Sequence, residues 1–505
     1  MRPVEKLMAL AHGESGGPLA WVGVVATTLS VLATITIGLL GPSAMVPDLA
    51  SGLGSGLTPG SAGGLGSGSA WQPPYSLGVT PDAHLVVALG AAALILGTAG
   101  LGAGLLSVRR MPSARLLVLL GCLAAGILAF LPPSGSADHL NYAAYGREAA
   151  LGHDPYVTVP ADLPADPVIG AVEEWRTVPS VYGPVATAVQ ALASHIGGES
   201  LGLTVFVMAL VNAAAFAATG LLLHRATRDD PVRQRRAALL WTANPLLVYQ
   251  LVAGMHLDTL AIAFVVAGLV TRRGALLGLG IAVKVTTGLV ALGTAWELRR
   301  RPRTLALVAV AATVTVIVTY WLAGPHALDQ VLNASKLVSL ASPWNLVQGA
   351  AQLFHPGAYK AWIQAGSLLL MAALAVLLLR GPLRDMAGTW RQPSGVAARE
   401  GPPVALAFVV AWLFAAPYAL PWYDGLAFAL LALVPASGVD AFMVARLGAL
   451  SLAYLPARQA GQPYDLRWLV DVVREQVVPS LLLALTVALV WWAARAGARA
   501  RRRPA

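Results

Sequence analysis

The chain has 505 residues, of which 57% are hydrophobic and 11% charged, with a formal net charge of +10 and a mean hydropathy of +0.68. Soluble domains carry about 25% charged residues, so a soluble fold and the cytosolic enzyme classes give way to a polytopic, all-α membrane protein. The excess arginine flanks apolar runs instead of lining one amphipathic face, a pattern of membrane orientation and not of nucleic-acid binding, and the single cysteine, Cys122, excludes an intramolecular disulfide.

The apolar runs fall at 21–41, 83–107, 114–132, 201–223, 237–253, 257–271, 274–297, 304–323, 361–381, 402–418, 423–436, 440–456 and 479–495. The first is too long for the apolar region of a signal peptide and reads as a retained span. The stretch 42–82 is rich in Gly and Ser and predicts a flexible loop. The next loop, 133–183, holds seven carboxylates (Asp138, Glu148, Asp154, Asp162, Asp166, Glu173 and Glu174) against Arg147 and Arg176. Residues 182–196 are apolar but topologically excluded from crossing, so they predict a helix lying at the membrane surface, which extends this acidic loop to about 196.

Arginine-rich segments (109–115, 224–236, 272–273, 297–303, 380–399 and 495–503) should face the cytoplasm, the last within a basic tail, 496–505. Threading them through the runs brings both termini inside only if 274–297 is two half-helices meeting near the outer face. The chain then forms one integral domain, 1–505, with about 13–14 transmembrane helices in the plasma membrane, and its acidic loops lie outside.

Chemistry concentrates on that outer side. Asp138 directly follows the third span in ADHLNYAAYGREAALGHDPY, with His139 beside it and Tyr142 a turn later. An Asp opening a helix also serves as an N-cap, so the position alone leaves both readings open. His256 and Asp258 occupy a turn between two spans, one helix length beyond Asn244-Pro245, where ionisable groups are expensive. Lys284 sits in the middle of an apolar run and is one of four lysines beside thirty arginines; either it snorkels or it pairs with an anion, most simply a phosphate. The aromatic turn Pro417–Asp424, with Trp422 and Tyr423, and the stretch Trp175–Pro184, with Tyr182, suit either a membrane belt or the wall of a sugar pocket. Arg458 lies in a further outer loop, 457–478, and is a second phosphate candidate, while His153 and Asp154 join the substrate-binding candidates. Zinc and calcium spacings and the Walker A and GxGxxG patterns are missing, so no metal or nucleotide cofactor is indicated, and Asp138 with Asp154 is the one pair left that could hold Mg²⁺ or Mn²⁺ through oxygen ligands.

Taken together, ADHLNYAAYGREAALGHDPY, VPSVYGP, TANPLLVYQLVAGMHLDTLAIAF, AVKVTTGLV and ALPWY resemble the actinobacterial polyprenol-phosphate-mannose-dependent α-1,6-mannosyltransferases, members of the GT-C glycosyltransferases. The likeness spreads over roughly 110–440, and departs from the family where MHLD stands in place of a GHND-like turn. It implies a GT-C fold whose extracytoplasmic juxtamembrane helices cover a membrane groove. The donor would be β-linked polyprenyl-phosphate-mannose, entering from the lipid bilayer, and the acceptor a mannan or mannosylated glycolipid. On this reading Asp138 is the base, Lys284 and Arg458 meet the donor phosphate, and His139, Tyr142, His153, Asp154, Tyr182, His256, Asp258, Trp422 and Tyr423 bind substrate. The competing readings are a transporter or flippase of a lipid-linked glycan, and a GT-C enzyme for a different polyprenyl-phosphate sugar.

Overall fold

A backbone that leaves water must satisfy its own N–H and C=O groups, and in a chain this apolar the helix is the local solution. The computed structural model describes residues 16–49, 72–330, 337–354, 357, 359–383, 399–458 and 460–502, and among them helices dominate and no strand forms. Most of the Gly/Ser-rich 42–82 loop and most of the 380–399 segment lie outside the described residues.

The first two helices, α1 (Gly16–Leu40) and α2 (Ala83–Leu106), pack on each other through small residues. A Cβ at Gly100 would stand 2.7 Å from the backbone nitrogen of Thr27, and Ser30 Oγ donates to the Ala93 carbonyl at 2.6 Å. Close backbone approach of this kind replaces the hydrophobic driving force that lipid does not supply. After α3 (Ala114–Ala129) come two short helices, α4 (Asp138–Ala150) and α5 (Pro184–Gly197), packed on one another; α5 covers most of the apolar stretch 182–196.

Beyond α6 (Leu201–Ala226), the run 237–253 departs from a continuous span. Helix α7 (Pro231–Leu240) stops, Asn244 caps the turn by accepting from the backbone N–H groups of Leu246 and Leu247, and Val248–Ala253 winds as a π-helix. Pro245 has no N–H to continue the ladder, and Asn212 Nδ2 donates to the Leu251 carbonyl at 2.6 Å. Beyond the π-helix, Met255, with a φ of +52°, turns the chain into α8 (Asp258–Thr271).

The run 274–297 is two half-helices, α9 (Gly274–Val283) and α10 (Leu289–Leu298). Lys284 between them is extended, with φ −152° and ψ 112°, and a 3-10 turn follows at Val285–Gly288. The break is tight. The backbone N–H of Gly183 donates to the Val283 carbonyl at 3.0 Å, and a Cβ at Gly183 would lie 2.2 Å from the Ala282 oxygen, so only glycine lets the acidic loop reach the interrupted helix.

The remaining helices are α11 (Pro302–Ala323), α12 (Pro343–Phe354), α13 (Lys360–Arg380), α14 (Gly401–Ala415), α15 (Gly425–Leu433), α16 (Gly438–Ala453) and α17 (Val478–Arg502). Among the described residues six helical stretches are long and apolar enough to cross a membrane: those of α1, α2, α6, α11 and α13 and the stretch Tyr464–Ala498, joined by shorter apolar helices that include α3, α8, α9 and α14. Helix α11 buries only Val308 and exposes Leu307, Trp321 and Leu322, a surface fit for hydrocarbon.

Helices α8, α10 and α14 end in unlike chemistry. At one end Arg272 and Arg399 both donate to Glu297 Oε1, Arg399 also donates to the carbonyls of Leu269 and Val270, and nearby Arg299 pairs with Glu400. The start of α8 and the far sides of α10 and α14 lead instead to Asp258, Lys284 and the Pro417–Asp424 turn, about 20 Å away by the length of α8.

Candidate active site

Asp138 is the first residue of α4, and its carboxylate does not cap the helix. Ala137 occupies the N-cap position, and the backbone N–H of Asp138 donates to Ser136 Oγ at 3.2 Å. Among the described residues the carboxylate meets side chains only: Tyr142 Oη donates to Asp138 Oδ2 at 3.4 Å, and His256 Nδ1 lies 3.5 Å from the same oxygen. Tyr142 Oη is also 2.9 Å from Tyr182 Oη and 3.4 Å from His256 Nδ1. One proton arrangement serves all of these contacts: Tyr182 donates to Tyr142, Tyr142 donates to Asp138, and His256 presents an Nδ1–H shared by Asp138 and Tyr142. The i, i+4 spacing of Asp138 and Tyr142 on α4 is what brings this pair together.

His256 is fully buried and stacks on Trp422, with ring centroids 3.6 Å apart and 13° between planes. Tyr454 meets the indole edge-on at 5.0 Å. The turn carrying Trp422 is held from beneath, because buried Asp424 pairs with Arg446, which also donates to the Leu413 carbonyl at 2.7 Å. Trp422 is therefore a backing plate for His256, and Tyr423 is a seat for Lys284, whose Nζ is 3.6 Å from the tyrosine ring centroid.

Lys284 leaves the break between α9 and α10 and donates to Asp258 Oδ1 at 2.6 Å. Asp258 opens α8, and its second oxygen is buried without a hydrogen-bond partner. A buried carboxylate with one free oxygen beside a lysine is an incompletely matched pair, the arrangement in which the lysine retains donors for another anion.

The electrostatics of the carboxylate follow from this crowding. Burial first, then the charges of Glu174 and Asp258, push the Asp138 carboxyl up to about 7, and Lys284 partly opposes them. Burial and the neighbouring Tyr182 and Asp138 hold Tyr142 well above the usual phenol range, so it stays a donor. A carboxylate that gives and takes a proton near neutrality is matched to general acid–base work.

The matching family model is described as Alpha-(1->6)-mannopyranosyltransferase, N-terminal domain, and it aligns with residues 20–300. The chain belongs to this family. Its matched region contains Asp138, Tyr142, Tyr182, His256, Asp258 and Lys284, whereas Trp422, Tyr423 and Arg458 lie beyond it. Among curated relatives, alpha-(1->6)-mannopyranosyltransferase A of Corynebacterium glutamicum is 23% identical over 176 residues, covering 34% of this chain and 36% of that protein. Alpha-(1->6)-mannopyranosyltransferase B of the same organism is 30% identical over 167 residues, covering 32% and 26%. A probable alpha-(1->6)-mannopyranosyltransferase of Mycolicibacterium smegmatis is 32% identical over 185 residues, covering 35% and 32%. The matched stretch thus spans about a third of the length of these family members.

The structure gathers Asp138, Tyr142, Tyr182, His256, Asp258, Lys284, Trp422 and Tyr423, but not the other candidates. Arg458 is occupied: it donates through Nε to Glu173 Oε2 at 2.8 Å, pairs again through Nη2, and donates through Nη1 to the Ser43 carbonyl at 2.5 Å. His139 is fully buried with both ring nitrogens unpartnered, and burial with the nearby Arg458 charge holds it neutral down to about 3. His153 is exposed beyond the far end of α4, about 20 Å along the helix from Asp138. Asp154 accepts from the backbone N–H of Tyr156 at 2.9 Å and shapes that turn. Sequence reasoning missed Glu174, Tyr454 and the bracing pair Asp424–Arg446. Glu174 is one carboxylate among seven, and nothing in the sequence singles it out.

Proposed function

We propose that this protein is a GT-C mannosyltransferase that moves mannose from polyprenyl-phosphate-mannose to a mannan or mannosylated lipid, forming an α-1,6 linkage on the extracytoplasmic face, with both termini cytoplasmic. The observation that carries the reading is the juxtaposition, in one aromatic-walled cluster, of a neutral-range carboxylate at Asp138 and a buried lysine at the break between α9 and α10. Membership of the family supplies the sugar and the linkage.

The chemistry is a single displacement. The acceptor 6-hydroxyl oxygen attacks the anomeric carbon as the bond from that carbon to the phosphate oxygen breaks. Asp138 takes the hydroxyl proton, with His256 and Tyr142 fixing the direction of its carboxylate. The electron pair of the broken bond leaves with polyprenyl phosphate, whose charge Lys284 receives at the helix break. Attack opposite the leaving group converts a β-linked donor to an α product, and no second carboxylate at nucleophile distance is required.

The test is a reconstituted assay of the purified protein with a panel of polyprenyl-phosphate sugars and short mannoside acceptors, the product linkage being read by NMR. Transfer of mannose to form an α-1,6 bond is expected. Transfer of a different sugar, or movement of an intact lipid-linked glycan across the bilayer without transfer, overturns the reading.

A further inference from the structure

Trp175 stands in the acidic loop with φ +58°. A bulky side chain in the left-handed region is a genuine outlier, a conformation the backbone keeps only where its surroundings over-determine it. They do so here. Asn141 Nδ2 donates to the Glu174 carbonyl at 3.0 Å, the Val178 N–H donates to the Trp175 carbonyl at 3.0 Å, and the Ala161 N–H donates to the Arg176 carbonyl at 2.8 Å. Glycine would adopt this backbone without strain, so the fold gives no reason for an indole at the position. The residue is 49% exposed, and among the described residues its ring stacks on no other aromatic ring.

Its place in the fold is specific. Asn141, which clasps the residue before it, is one turn along α4 from Asp138, and the charge of Glu174 is felt by the Asp138 carboxyl. The backbone that carries the half-open ring is therefore tied to α4 one turn from Asp138, and Trp175 is flanked in sequence by Glu174 and Arg176. An apolar ring face beside carboxylate and guanidinium groups is complementary to a pyranose, which offers a C–H face for stacking and hydroxyls for charge-assisted hydrogen bonds. Lys284 is only 16% exposed inside the bundle, whereas the indole is open. The open position suits a glycan arriving from water, not a lipid-borne sugar.

We propose that Trp175 is the stacking platform of an acceptor subsite, taking a mannosyl residue of the acceptor chain; this rests on the transferase reading above. The test uses the full-length protein in detergent or nanodiscs with α-1,6-mannobiose, binding being followed by saturation-transfer NMR and turnover by the assay above. Trp175→Ala should raise the acceptor KM and weaken mannobiose binding roughly tenfold, equivalent to about 1.4 kcal/mol, with the donor KM unmoved. Trp175→Phe should keep most of the binding. Trp175→Gly should lose binding while raising Tm, because it relieves the backbone, and these opposed signs separate a binding role from a structural one. Equal mannobiose binding by wild type and Trp175→Ala, or no binding by wild type, overturns the proposal. Binding that needs Trp175 without any transfer sinks the transferase reading and leaves the subsite standing.

Discussion

Two buried ion pairs in this molecule are built to opposite specifications. Arg236 and Asp440 meet twice, at 2.9 Å through Nε and 2.6 Å through Nη2, and Arg236 Nη1 is further satisfied by the carbonyls of Leu431 and Val434 at 2.8 and 2.7 Å. Lys284 and Asp258 meet once, and one Asp258 oxygen stays buried without a partner. The guanidinium fork fixes one geometry and leaves nothing to offer a ligand, whereas the ammonium group is a rotatable point charge that can turn to a new anion. The difference teaches that buried charge alone does not mark function in such a protein. Incomplete satisfaction close to a second titratable group, Asp138, is the feature on which the proposal for Lys284 and Asp258 rests.

The largest expected effect lies at that second group. Asp138→Asn should slow transfer by roughly 10²–10⁴ without lowering Tm, because the amide keeps the shape but does not take up the acceptor proton. The measurement is initial rate at saturating donor and acceptor, and near wild-type turnover would remove Asp138 as the base. The contrasting expectation is at the other pair. Asp440→Ala should cost about 3–5 kcal/mol of stability by leaving Arg236 buried without its carboxylate, with activity per folded molecule unchanged. A denaturation series paired with activity per folded fraction checks it. Loss of activity without loss of stability would erase the distinction between the pairs.

Lys284 sharpens the comparison from the other side. Removing the lysine alone strands Asp258, so the informative protein is the double variant Lys284→Met with Asp258→Asn, which removes both charges. It should fold and should raise the donor KM roughly 10–100-fold, the range expected for losing a charge-assisted bond of about 1.5–3 kcal/mol to the phosphate. An unchanged donor titration would make the lysine a structural partner only.

What the sequence disclosed depended on whether the signal was local. Thirteen apolar runs each carry helix, and Lys284 in mid-run with arginines on both sides left 274–297 open as one span or two half-helices, the second of which the structure shows. Asn244-Pro245 marked the stop after α7 for the same local reason, the missing N–H. The pairing of distant residues was not legible. Nothing in MHLD says that His256 turns to Asp138 while Asp258 turns to Lys284; His256 stands before α8 and Asp258 is its first residue, and the partners of each come from distant segments. Arg458 and His139 misled because sequence proximity to an active loop says nothing about which surface is already occupied. Glu173 satisfies the first, and burial silences the second.

The smallest expected effect is the most diagnostic of the electrostatic argument. With the Asp138 carboxyl near 7, it must lose its proton to act as base, so kcat/KM should rise with pH through about 7 and fall toward acid. Stability should run the other way. The folded carboxyl holds its proton more tightly than the unfolded one at the ordinary value of 3.8, so between about 4 and 7 the folded state binds the extra proton, and this contribution is lost as pH rises. Asp138→Asn should abolish both slopes. Glu174 supplies part of the upward push, being the largest charge contribution after burial, so Glu174→Gln should shift the acid limb of the rate profile toward lower pH without eliminating turnover. A pH series of kcat/KM on the two proteins decides it: a limb that stays in place after the glutamate charge is gone would assign the titration to another group and leave Asp138 without its tuning neighbour.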